Sequence, residues 1–253
     1  MKKLFWLCFC LLLLVACGNT ANSNETENKQ ETSPAKEAVE EQETVATPAS
    51  PASCEGILFE QGAVIEGKKL AACMKDAMIA AGSGSHKVNS ASGASKVDFQ
   101  WNPDFSMHIE NSDNTVIIDG DTGWMKTPET GWIEETDEPS NGEEVIASNV
   151  IKLTRILGHP IAIAENFAQA PTWKVVGQGA VPDTEAFVDT AWHLTPEQPI
   201  HLNGAMLTDV QLWITDHYLG AYYIATATIA GLSETTSNTF LQWGEPVDIP
   251  SPN

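Results

Sequence analysis

Three sets of residues have types and spacings that could do chemistry. The first is Cys17, which ends the run Leu14-Val15-Ala16-Cys17. Lys2 and Lys3 precede it as a positive region, and Leu4 to Leu13 form an apolar stretch of about ten residues. That stretch is long enough for a signal peptide and too short to span a bilayer as an anchor. The small residue Ala16 beside the thiol suits a peptidase pocket. The second set is Cys54 and Cys73. An even pair in an exported chain is most simply a disulfide, with two buried free thiols as the alternative. The third is Asp119-Gly120-Asp121-Thr122-Gly123. A calcium loop needs more oxygen ligands and a closing glutamate, so this run reads as a hairpin or bulge turn.

No other pattern points to catalysis or metal binding. His86, His108, His159, His193, His201 and His217 are dispersed, and no pair has the spacing of a local metal site. They read as surface or loop residues. No Gly-x-Ser-x-Gly elbow, His-Glu-x-x-His or phosphate-binding loop occurs. No cofactor and no metal is expected, and the protein is expected not to be an enzyme.

The leader and Cys17 together resemble the lipobox of bacterial lipoproteins. The resemblance implies that residues 1–16 are removed, that the Cys17 thiol is lipidated, and that the new amino terminus is acylated, palmitate being a chain of the type used. Two or more acyl chains anchor a protein stably, whereas one is marginal. The expected location is the bacterial cell envelope, lipid-anchored on the extracytoplasmic side of a membrane. The other reading of the run is an ordinary secretory signal with a chance cysteine.

Composition narrows the partners. The chain has 13 basic and 34 acidic residues. Without Lys2 and Lys3 the balance is 11 against 34, a net charge of −23. Such a surface repels phosphates and anionic headgroups, which argues against nucleic acid and leaves the lipid on Cys17 to hold the protein at a membrane. The charge also keeps an exported protein soluble.

The elements that must position any site begin after a tether. Residues 17–52 are rich in Asn, Glu, Thr, Ala, Ser and Pro and have almost no large apolar side chains. Such a segment cannot offset its ordering entropy by burial, so it is expected to be disordered. Residues 53–253 suit one domain with a sizeable core. Leu70, Cys73, Met74, Ala77, Met78 and Ala81 recur at helical spacing, and Gly82 and Gly84 stop that helix. Short strand patterns follow at 97–101, 107–110 and 115–118, then a hairpin over 119–134. A helix is expected with Ile146, Val150, Leu153 and Leu157 as its apolar stripe, and a second helical piece over 161–167. Strands are expected again at 173–176, 185–194, 209–215, 219–229 and 235–243. The order of helix, meander, helices and meander gives an α+β fold with a mainly antiparallel sheet.

That order, with the lipobox, resembles the LolA/LolB-like superfamily, especially the LppX/LprAFG-type bacterial lipoproteins. The residues that carry the likeness are Lys96-Val97-Asp98-Phe99-Gln100-Trp101, Ile117-Ile118-Asp119-Gly120-Asp121 with Gly123-Trp124-Met125-Lys126, Val210-Gln211-Leu212-Trp213-Ile214-Thr215, and Phe240-Leu241-Gln242-Trp243-Gly244-Glu245-Pro246-Val247-Asp248-Ile249. It covers roughly residues 54–250. The resemblance implies a curved antiparallel half-barrel with helices covering its concave face and an apolar cavity between them that takes lipid acyl chains. It also implies that Phe99, Trp101, Val116, Ile118, Leu212 and Ile214 face that cavity from the strands, with Leu153 and Leu157 facing them from a helix. Alternation does place Val97, Phe99 and Trp101 on one face, and Val210, Leu212 and Ile214 on one face. The periodicity alone fits a solid core equally well.

The expected function is therefore a membrane-anchored lipoprotein that binds or carries a lipid or other hydrophobic small molecule, without catalysis. The alternative, of another class, is an envelope structural or signalling lipoprotein that binds a protein or cell-wall polymer through its surface.

Overall fold

The computed structural model describes residues 50–252 apart from Ser92, Pro103 and Asn203. The leader, Cys17 and nearly all of the tether lie outside the described residues. A short 3-10 turn, Ala52–Cys54, leads into β1 (Val64–Glu66) and α1 (Gly67–Ala81). The first meander is β2 (Ser83–Ser90), β3 (Gly93–Gln100), β4 (Ser106–Glu110), β5 (Thr115–Asp119), β6 (Thr122–Lys126) and β7 (Trp132–Glu134). Two helices follow, α2 (Gly142–Leu157) and α3 (Pro160–Ala168). The second meander is β8 (Thr172–Ala180), β9 (Thr190–Pro196), β10 (Ile200–Leu202), β11 (Ala205–Ile214), β12 (Gly220–Ile229) and β13 (Leu232–Trp243).

All of these strands join one antiparallel sheet of 13 strands, in the order β1-β8-β9-β11-β12-β13-β2-β3-β4-β5-β6-β7, with β10 paired to β11. The sheet curves and stays open, so the fold is α+β with helices over its concave face. The second meander closes on the first through β13 and β2, where Phe240 lies opposite His86 and Asn238 opposite Val88. Sequence periodicity misses β1, β2 and β10, of which β2 is the longest. Its residues Ser83-Gly84-Ser85-His86-Lys87-Val88-Asn89-Ser90 show no apolar alternation, and only pairing on both sides, with β13 and β3, holds them extended.

Local chemistry explains the helix ends. Gly82 ends α1 at a φ of 78°, a conformation that costs a residue with a Cβ more. Asn141 caps α2 by accepting from the backbone N–H groups of Glu143 and Glu144. Pro160 opens α3 at its first turn, where a missing N–H costs nothing. Cys54 and Cys73 form a disulfide that ties the 3-10 turn to α1.

Two expectations need correction. Helix α2 uses only part of the expected stripe: Val150 is buried, Leu153 is half-buried, Ile146 faces out, and the Leu157 side chain lies outside the described residues. Its buried side chains are Ala147, Ser148, Val150, Ile151 and Thr154, while Ile146 is 46% exposed. The helix is rolled toward β6, where Gly123 leaves room for the Ile151 side chain. Arg155 fixes the roll by donating to both carboxylate oxygens of Glu135, at 3.1 and 2.7 Å. The strand expected over 185–194 begins only at Thr190. Before it, Asp183 accepts from the Glu185 backbone N–H and the Thr239 hydroxyl, and Lys87 pairs with Glu185. Residues 181–188 thereby cross the outer face of the sheet, and Val181, Ala186, Phe187 and Val188 pack with Trp213, Ala221 and Tyr222.

Candidate functional site

Two larger apolar clusters lie on the concave side. One joins α1 to β8, β9, β11 and β12 through Leu70, Met74, Trp173, Leu194 and Leu212. The other joins α2 to β3, β4, β5 and β6 through Phe99, Met107, Val116, Ile118 and Ile151. Trp101 and Trp243 pack against both. At the seam the packing is incomplete, leaving a cavity of about 300 Å³. That volume is at the lower end of the range for small-molecule sites.

The floor of the cavity is sheet. Val97 and Phe99 of β3, His86 and Val88 of β2, Asn238 and Phe240 of β13, and Tyr223 and Ala225 of β12 line it. The roof is helical, from Met74 and Met78 of α1, Thr154 of α2, and Ile163, Asn166 and Phe167 of α3. Among the described residues that line it there is no Asp, Glu, Lys or Arg. Unbranched methionines in the roof adapt to irregular apolar shapes.

One side of the cavity is a box of rings. Phe99 stacks on Trp101 at 4.6 Å, Trp243 meets Phe99 edge-on at 5.3 Å, and Phe240 stacks on Trp243 at 5.0 Å. His86 completes it, 5.3 Å from Phe240 and 5.7 Å from Phe99. The backbone makes room for these rings. A Cβ on Gly84 would sit 2.7 Å from Phe99 Cζ and 2.6 Å from the Gln242 carbonyl oxygen, so only glycine fits there. Trp243 donates its indole N–H to the Gly220 carbonyl at 2.8 Å, which fixes the box to the start of β12.

Burial pushes the His86 imidazole down to about 4, so it is neutral near neutral pH. The same cause raises the Tyr223 phenol well above its usual value. The cavity thus has polar groups and no charge. The expectation that every histidine is a surface or loop residue does not hold for His86, because the neighbouring rings enclose it.

Of the residues expected to face a ligand, the structure brings Phe99, Trp101 and Leu212 together in the lining. Val116 and Ile118 are fully buried one strand pair away, under α2, and Ile214 is fully buried in the first cluster. None of these three lines the cavity. Leu153 is half-buried and also off the lining, because α2 is rolled away from it. The Leu157 side chain lies outside the described residues, although Gly158 beside it does line the cavity. Ile214 is packed away in the cluster under α1, and the displacement of Val116, Ile118 and Leu153 has a separate physical source. Helix α2 packs directly on β5 and β6 and fills that half of the concave face. The open space lies beside it, under α1 and α3.

Sequence reasoning missed His86, Tyr223, Thr236, Asn238 and Phe240 as lining residues. The signal that could have found them is the run Thr235 to Trp243, in which Thr236, Asn238 and Phe240 alternate on one face of a strand. Polar residues at the first two positions hid the inward face. Among the described residues, no three His, Cys, Asp or Glu side chains converge as a metal site would require.

Comparison with known proteins adds the following. No family model matches the chain, and no curated protein matches it. Among solved structures, it is similar to the lipoprotein LppX of Mycobacterium tuberculosis, at 11% identity and a TM-score of 0.43, over 72% of this chain and 98% of that one. It is also similar to LprF from Mycobacterium bovis, at 11% identity and a TM-score of 0.42, over 74% of this chain and 96% of that one.

Proposed function

We propose that this protein is a membrane-anchored lipoprotein that binds or carries a lipid or other hydrophobic ligand in the cavity between its curved sheet and its helices, and that it acts without catalysis. The observation that carries this reading is the uncharged, largely apolar lining of a 300 Å³ space at the seam of two packed clusters. Close-packed interiors leave few voids larger than a water molecule. A void of this size lined by Met74, Met78, Phe99 and Phe240 forfeits dispersion contacts that an apolar ligand restores. Each methylene brought in from water stabilises the complex by about 0.8 kcal/mol.

The remaining parts of the proposal come from the sequence. Cys17 is the site of the lipid anchor, residues 17–52 are the acidic tether, and the domain begins near Cys54. The protein stands in the bacterial cell envelope on the extracytoplasmic side of a membrane. Its partners are that membrane and the cavity ligand, with no nucleic acid.

Native mass spectrometry of the full chain, taken from its host's membranes in mild detergent, tests both parts. The expected spectrum shows a mass added covalently at Cys17 and a second, non-covalent mass lost on activation. A chain that retains no ligand, with a crystal structure in which side chains fill the seam, overturns the cavity reading. An unmodified Cys17 overturns the anchor.

A further inference from the structure

The acidity of the domain is not spread evenly over its surface. Helices α1, α2 and α3 carry Lys68, Lys69, Lys75, Lys152 and Arg155 against Asp76, Glu143, Glu144 and Glu165. Asp137 pairs with Lys152 and Glu135 with Arg155, each at 2.7 Å. With those two partners the helical layer has five basic and six acidic groups, a net charge of −1. The other described residues have four basic groups, Lys87, Lys96, Lys126 and Lys174, and 21 acidic ones, a net charge of −17. The sheet and its loops therefore hold nearly all of the negative charge.

The helical layer also exposes large apolar side chains. Ile79 of α1, Ile146 and Ile156 of α2, and Ile161 of α3 are 45% to 62% exposed. On the sheet such residues are scattered, since Val64, Val176, Met206 and Leu232 are on four different strands. Gly67, the first residue of α1, donates its N–H to the Pro171 carbonyl just past α3. The two helices pack side by side, so they run in opposite directions. Ile79, near the end of α1, and Ile161, at the start of α3, thus lie toward the same end of the layer. Ile156 belongs to that end too, one tight turn before Ile161.

Two observations select a lipid bilayer as the occupant of this face. The first is charge. Anionic headgroups repel a surface at −17 far more than one at −1, so a membrane turns the helices toward itself. The second is where the rest of the chain joins. Residues 17–49 reach the domain at Ser50, and the 3-10 turn that follows is bonded to α1 through Cys54 and Cys73. Gly56 lies beside the Lys69 ammonium of the same helix. A chain anchored at Cys17 therefore enters the domain at the helical layer. Anchoring makes docking an intramolecular step, so a patch too small to hold a free protein is sufficient.

We infer that the layer of α1, α2 and α3 is the face that the domain lays on its membrane. Ile79, Ile156 and Ile161 enter the headgroup region, and Lys68 and Lys69 meet its phosphates while their stems cover apolar surface. The inference rests on the anchor reading of Cys17 and adds the orientation of the domain on that membrane.

The test uses the full lipidated chain in vesicles of phosphatidylcholine with a minority of phosphatidylglycerol. A fluorophore is attached in turn through Ile79→Cys, Ile156→Cys and Thr235→Cys. Thr235 is exposed on the convex face, opposite the cavity-lining Thr236. Lipids with a nitroxide near the headgroup should remove most of the fluorescence at Ile79 and Ile156 and little at Thr235. Adding Ile156→Glu and Ile161→Glu to the Ile79 probe should return its quenching to the Thr235 level. Both positions are exposed, so the fold is retained, which the melting temperature verifies. Lys68→Glu with Lys69→Glu should weaken quenching at Ile79 on these vesicles and leave it unchanged on phosphatidylcholine alone. Equal quenching at the three positions, or stronger quenching at Thr235, overturns the inference. Helix probes shielded from aqueous iodide but untouched by the nitroxide lipids assign the face to a second copy of the chain, which also overturns it. In each of these cases the chain still floats with the vesicles and the anchor reading stands. A chain that does not float with them removes the anchor reading, and the inference with it.

Discussion

His86 shows how one residue's environment becomes a measurable property. Its side chain sits among Phe99, Phe240 and the cavity, and burial lowers its pKa to about 4 from 6.5. Between those two values the unfolded chain binds the proton and the folded chain does not. Stability associated with this group is therefore fully present above pH 6.5 and is lost as the pH falls toward about 4. The slope cannot exceed about 1.4 kcal/mol per pH unit. Chemical denaturation at closely spaced pH values should show this slope in the wild type and a shallower one in His86→Phe. Carboxylates such as Asp183, Asp137 and Glu144, whose pKa values are held low by their hydrogen-bond partners, titrate in both proteins and cancel in the difference. Equal slopes in the two proteins would show that the imidazole is not enclosed as described.

At the scale of the element, α2 decides where the cavity is. Its side chain Ile151 is fully buried against Gly123 and the β4–β6 cluster, and Arg155 clamps it to Glu135. Ile146, one of the residues that the sequence pattern favours, is 46% exposed. Ile151→Ala should therefore cost about 2–5 kcal/mol of stability, whereas Ile146→Ala should stay within about 0.5 kcal/mol. Urea unfolding of both variants distinguishes the faces directly. A larger loss at Ile146 would mean that the helix presents the other stripe to the sheet and covers the cavity itself.

For the whole molecule, the two halves of the concave face differ in how they respond to added volume. Ala225 lines the cavity, so Ala225→Phe should fill empty space, keep the melting temperature within a few degrees and exclude ligand. Ile214 is fully buried in close-packed surroundings outside the cavity, so Ile214→Phe should overpack the core and cost about 1–3 kcal/mol. Melting temperature and ligand occupancy, measured on the same samples, give opposite patterns for the two variants. A large destabilisation by Ala225→Phe would indicate that the seam is already filled by side chains.

Much of this organisation is legible in the amino-acid order because it depends on local properties. The expected leader and acidic tether rest on composition and lie almost wholly outside the described residues. Helix α1 ends at Gly82 because glycine accepts a φ of 78°, and α2 starts at Asn141 because its side chain accepts two backbone N–H groups. Strands β3 and β4 show their alternation directly, which puts Phe99 and Trp101 on one face. What local pattern could not decide is which of two apolar faces meets a neighbour and which meets empty space. Strand β2 has no pattern of its own and exists through its partners β13 and β3. The roll of α2, set by Gly123 and by the Arg155 pair with Glu135, moved Val116, Ile118 and Leu153 away from the cavity. Periodicity is a property of the chain itself, so the sequence determined the helices, most of the strands and their order. The cavity is the volume left where α1, α2 and α3 meet a curved sheet, and only the tertiary packing of those elements could decide where it lies.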